Sequence, residues 1–163
     1  MCFLLSSILI LNDRGLGARV KSVFIASEVK KNDIRIVAVL EHKQKVDNIN
    51  SFSRKLRMHG SMVADPVKKH ICIFWIKDCS VDLVESGDQF ITSKVRRWTE
   101  CFFYSSVYGS CNLQEQKTLW HSLGAFDLTD IPWIVAGDFY SILDLQEKKG
   151  RGAFSRKASM DFA

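Results

Sequence analysis

The sequence predicts an α+β domain, and three observations point to it. An apolar run, a mixed helical stretch and a second apolar run succeed one another before residue 41, reading as strand, helix, strand. From His70 to Tyr108 four strand-like runs follow with no helix between them, the pattern of an antiparallel meander. A helix and one more apolar strand then precede a basic tail. At 163 residues, 47% hydrophobic and 25% charged, the chain has the size and composition of one globular domain spanning 1–163, and not those of a disordered segment.

The opening run "MCFLLSSILIL" reads as a buried first strand. It lacks the basic start and small-residue cleavage signal of a secretory leader and is too short to span a bilayer, so the expected location is intracellular, nucleus or cytoplasm, with no membrane partner. After "NDRGLG" the stretch from Leu16 to Lys31 carries Val20, Val23, Phe24 and Val29 at spacings that suit one helix face, and Asn32-Asp33 ends it. "IRIVAVL", Ile34 to Leu40, is β-branched and almost wholly apolar, as a strand covered on both faces should be. Residues 42–66 are polar with scattered apolar positions, a long connection or weak helix.

The four runs of the expected meander are "ICIFWI", "VDLVES", "QFITSKV" and "CFFYSSVY". In "NLQEQKTLWHSLGAF", Asn112 and Glu115 have capping-box spacing, Leu119, Trp120 and Leu123 form an apolar face, and Gly124 is a plausible stop. Pro132 restarts the chain as a strand through Ala136, and Ser155 is placed to cap a last short helix.

The balance of 23 Lys and Arg against 18 Asp and Glu gives net +5, which permits an anionic partner such as nucleic acid. The basic residues come in small groups, so only folding could assemble them into one footprint. Five cysteines with no C-x-x-C read as reduced, buried thiols, and neither cysteine nor histidine spacing supports a zinc site. The four histidines accompany no nucleophile and read as surface or core residues; the four tryptophans read as packing residues.

Two arrangements carry chemistry. "LILNDRGLGARV" imitates a dinucleotide-binding fingerprint through Gly15 and Gly17, with Glu41 closing the next strand. Val20 occupies the third glycine position, however, and four successive strands do not suit a doubly wound sheet. The other arrangement is Glu41 with Asp138, each just beyond a buried apolar strand where the backbone emerges at a sheet rim. Strand ends hold side chains rigidly, and two carboxylates there can divide into metal ligand and general base; an acid in that position is also a common turn former.

Together, "LNDRGLG", "IVAVLEHK", "DQFI", "VYGS" followed by a helix with "LW", and "PWIVAGDFYSILDLQEK" resemble the endonuclease/exonuclease/phosphatase superfamily, in particular the version carried by plant non-LTR retrotransposons. The motifs run in order from about residue 8 to residue 149. The resemblance implies a four-layer α/β-sandwich, two packed and mostly antiparallel sheets flanked by helices, with a Mg²⁺-dependent phosphodiesterase centre at the rim. It implies that Glu41 binds the metal and that Asn12 helps hold metal and phosphate. It further implies that Tyr108 faces the phosphate, that Asp138 orients or deprotonates the attacking water, and that the partner is DNA or another phosphodiester.

The chain departs from the pattern in several places. Where the family reads G-D-F-N, Tyr140 replaces the asparagine, a donor toward the scissile phosphate; losing one such donor can cost on the order of a hundredfold to a thousandfold in rate. Leu11 stands where the family has tryptophan, and "HGSMVADPVKKHICIFW" holds one glycine where relatives carry several. No Ser-Asp-His segment follows, and Asp161 is no substitute, so the resemblance covers about two-thirds of a family domain, incomplete at the C-terminus. The expectation is therefore a hydrolase-like domain that is itself inactive, with an unpaired sheet edge. The alternative is a non-catalytic nucleic-acid or protein interaction module; a dinucleotide-binding domain stands third.

Overall fold

The computed structural model describes residues 7–12, 19–43, 45–64, 70–126, 130–142 and 146. The glycines of the dinucleotide-like run and the helix expected after Ser155 lie outside the described residues.

Two four-stranded sheets pack face to face. The first has the order β1 (Ile8–Asn12), β2 (Ile36–Leu40), β4 (Ile71–Trp75), β3 (Gly60–Val63). The second has the order β5 (Ser80–Ser86), β6 (Phe90–Arg97), β7 (Glu100–Tyr108), β8 (Trp133–Asp138). Each sheet contains one parallel pair, β1 with β2 and β7 with β8, and its remaining pairs are antiparallel. The parallel pairs need crossovers, which α1 (Arg19–Lys31) and α3 (Leu113–Gly124) supply; α2 (Val46–Lys55) joins β2 to β3.

The period of two sorts the side chains into layers. From β2, Ile36, Ala38 and Leu40 point between the sheets, where they meet Ile71 and Ile73 of β4 and Ile91, Val95, Phe102 and Tyr104 of the second sheet. Val37 and Val39 point the other way, against Ile25 and Val29 of α1 and Ile49 and Phe52 of α2. On the far side, Phe90 and Val107 pack beneath Leu119 and Leu123 of α3. The result is the expected four-layer sandwich of helices, sheet, sheet and helix.

Several expectations need correction. The four-strand meander is three strands, β5 to β7; "ICIFWI" forms β4 in the other sheet, paired on both sides by β2 and β3. Its all-apolar sequence reflects that central place, since Ile71 to Phe74 are fully buried between two layers. The polar stretch 42–66, expected as a long connection or weak helix, holds the helix α2 and also the unexpected strand β3; Ile49 and Phe52 of the helix and its C-cap Leu56 anchor it at i, i+3 and i+7. On α1 the buried face is Ser22, Ile25 and Val29, whereas Val23 and Phe24 are 65% and 60% exposed. Trp98 is no packing residue: it stands 80% exposed at the β6–β7 turn with φ 52°, its ring under the Arg97 guanidinium at 4.0 Å.

Other expectations hold. Asn112 caps α3, accepting from the N–H groups of Gln114 and Glu115 at 2.8 and 3.4 Å. Cys72 and Cys79 are buried free thiols, and burial pushes both upward in pKa; Cys111, by contrast, is exposed.

Candidate active site at the strand rim

The parallel pairs bring four strand ends to one rim. Asn12 closes β1 opposite Leu40, after which the chain turns at Glu41; Tyr108 closes β7 opposite Asp138, the last residue of β8. The outer strands β1 and β8 meet across the sandwich, as do β2 and β7. All four residues singled out from sequence thus lie together, joined as two hydrogen-bonded pairs. Asn12 Nδ2 donates to Asp138 Oδ2 at 2.6 Å, and the Tyr108 hydroxyl donates to Glu41 Oε1 at 2.6 Å.

Glu41 is 5% exposed and sits at φ 53°, in the left-handed region that few non-glycine residues adopt. Its N–H donates to the His70 carbonyl at 2.6 Å, tying the turn to the chain entering β4. The second carboxylate oxygen faces Lys43 Nζ at 3.5 Å, and Lys43 is itself left-handed at φ 49°. A burial this deep requires such partners, because an unpaired carboxylate away from water is costly. Burial and the bond to Glu41 push the Tyr108 hydroxyl well above the usual tyrosine pKa, so it remains a donor.

Asp138 is placed by the glycine before it. Gly137 has φ 156°, and a Cβ there would collide with the Val107 carbonyl, so only glycine lets β8 lie this close to β7. The Asp138 carbonyl accepts from Gly109 N–H at 2.7 Å, and Oδ1 accepts from Tyr140 N–H at 3.3 Å. Tyr140 is left-handed at φ 49°, with its carbonyl bonded by buried Gln116 Nε2 at 3.3 Å and its hydroxyl 3.5 Å from that of Tyr108.

A cleft of about 840 Å³ opens over this corner, lined by Ile10, Asn12, Leu40 and residues 135–142. Asn12 lines this cleft, and Glu41 follows Leu40, which also lines it; both side chains carry hard oxygen atoms, the donor type that Mg²⁺ takes, and the Glu41 carboxylate is already paired with the Lys43 ammonium. Among the described residues no three His, Cys, Asp or Glu side chains gather, so an ion here would keep water or phosphate oxygen in most of its shell, as Mg²⁺ commonly does. On that donor chemistry the residues fit the ion.

Sequence reasoning missed Lys43, His70 and Gln116. Lys43 lay in plain view two residues after Glu41 in "LEHK", whereas His70, whose ring meets Tyr108 edge-on at 5.0 Å, carried no signal beyond preceding a strand. His42 is wholly buried, a core histidine as one of the readings had it.

No family model and no curated protein matches the chain in sequence. Solved structures do match in shape. TDP2 of D. rerio, solved with a single-strand DNA product, superposes with TM-score 0.62 at 12% identity, covering 84% of this chain and 61% of that one. The endonuclease domain of TRAS1, a telomere-specific non-LTR retrotransposon, gives 0.60 at 11%, covering 84% and 61%. An AP endonuclease of Archaeoglobus fulgidus gives 0.56 at 15%, covering 82% and 57%. The chain therefore spans about three-fifths of the length of these relatives, and what it shares with them is the endonuclease/exonuclease/phosphatase-type fold.

Proposed function

We propose that the rim is a Mg²⁺-dependent phosphodiester-hydrolase-like centre that binds DNA or a related phosphate ester while its hydrolytic step is suppressed. The observation that carries this reading is the joining of Asn12 to Asp138 and of Tyr108 to Glu41 at one rim of this fold. Glu41 and the Asn12 carbonyl would hold the ion, which when bound neutralises charge developing on the phosphate. Asp138, fixed by Asn12 and by the Tyr140 N–H, is the base or orienting group for water, and Tyr108, whose hydroxyl donates to Glu41, would turn that hydroxyl toward the phosphate only on leaving Glu41 to the ion.

Suppression rests on Tyr140. A phenol turned toward Tyr108 stands where the resembled motif has a carboxamide donor, and a missing preorganised donor weakens the transition state far more than the ground state. The ordered motifs and the likeness to the TRAS1 domain support a retrotransposon-type origin and a single partial domain over 1–163. No described helix is long and apolar enough to cross a membrane, and we place the chain in the nucleus or cytoplasm.

Plasmid nicking with Mg²⁺ tests the reading. The chain should nick no faster than Asp138→Ala; Mg²⁺-dependent nicking that Asp138→Ala abolishes would overturn the suppressed step.

A further inference from the structure

A second cleft of about 260 Å³ lies beside this corner, lined among others by His70, Asp88, Gln89, Tyr108 and Glu115. Tyr140 lines both clefts and so forms the wall between them. Three rings run in series along that wall: His70 meets Tyr108 at 5.0 Å, and Tyr108 meets Tyr140 at 5.8 Å, both edge-on.

The floor of the cleft is fixed. Gln89 accepts from Ser110 N–H through Oε1 at 2.7 Å and donates from Nε2 to the Glu115 carbonyl at 2.8 Å, while its own carbonyl accepts from Tyr108 N–H at 2.8 Å. Among the described residues no lysine or arginine lines the cleft, and the acids Asp88 and Glu115 do. A phosphate would be repelled there, whereas an uncharged planar ring bearing N–H donors would find acceptors and an aromatic wall. Tyr140 suits that role. It is 42% exposed, yet its backbone is held at both ends by Asp138 and Gln116, so the ring is presented to solvent in a fixed place.

We infer that this cleft takes one unpaired nucleobase, stacked on Tyr140, of a single strand whose adjoining phosphate lies over Asn12 and Asp138. The inference rests on the phosphodiester reading and narrows its substrate class to single-stranded nucleic acid. Base–aromatic stacking is sequence-tolerant and strengthens binding by roughly tenfold per base in ordinary cases.

The test compares a fluorescein-labelled thymidine oligomer with an abasic deoxyribose-phosphate strand of equal length. Binding to the whole chain is followed by anisotropy, with Mg²⁺ present and salt varied. The base-bearing strand should bind about tenfold more tightly. Tyr140→Phe should keep that preference and Tyr140→Asn should remove it, with the salt slope unchanged throughout because the phosphate contacts remain. Equal binding of the two strands by the unaltered chain, or equal weakening of both by Tyr140→Asn, would overturn the inference and leave the phosphodiester reading standing. If neither strand binds in a salt-dependent way, both fail together.

Discussion

At the scale of single residues, the site is organised around Glu41, a carboxylate almost removed from water whose two oxygens are shared between a phenol and an amine. Tyr108→Phe deletes the donor on one oxygen and leaves part of a buried charge unsatisfied; thermal melts should show a loss of about 1–3 kcal/mol. The pH dependence has a definite sign. The Tyr108 hydroxyl is raised by burial and by Glu41, and Tyr104 is pushed up to about 12 by burial, which outweighs a lowering by Ser106, so both favour the protonated native state. That stability is intact below the unfolded tyrosine value of about 10 and is lost as pH rises beyond it. Alkaline unfolding should therefore flatten in Tyr108→Phe. Tyr140 carries left-handed backbone that asparagine tolerates better, so Tyr140→Asn should raise stability by on the order of 1 kcal/mol in denaturant titration. Asp138 and Glu41 were legible as acids at strand ends; the hydrogen bonds that couple them to Asn12 and Tyr108 were not, because those partners lie in distant parts of the chain.

At the scale of elements, the parallel pair β7–β8 depends on the approach that Gly137 permits. Gly137→Ala must push β8 away from the Val107 carbonyl and should cost about 3 kcal/mol or more, read as a lowered denaturant midpoint. Phe52 of α2 sits in the outer helical layer against Phe74 at 5.4 Å; Phe52→Ala should cost about 3–5 kcal/mol by the same measurement. Elements with a continuous apolar run, β2 and β4, could be read directly from sequence. Which sheet β4 joins could not, because full burial on both faces says only that a strand is central. The helix α2 was obscured for another reason: its three anchors, Ile49, Phe52 and Leu56, are separated by polar residues, and the charged surroundings masked the i, i+3, i+7 spacing.

At the scale of the whole molecule, two sheets of similar plan, each with a parallel pair at one side, set the ends of β1, β2, β7 and β8 at a common rim. The fold type followed from sequence because the motifs are collinear, and each marks a strand end that the sandwich later gathers. On the proposed reading, phosphodiester binding should fall linearly in log affinity with log salt, because each phosphate contact releases counterions. On the proposed function, Glu41 brings a cation to a phosphodiester at this rim. This is tested most directly by titrating Mg²⁺, at constant ionic strength, into mixtures of a labelled thymidine oligomer with the chain or with Glu41→Gln. Mg²⁺ should tighten binding by the chain and leave Glu41→Gln unmoved. Identical responses of the two proteins would contradict it.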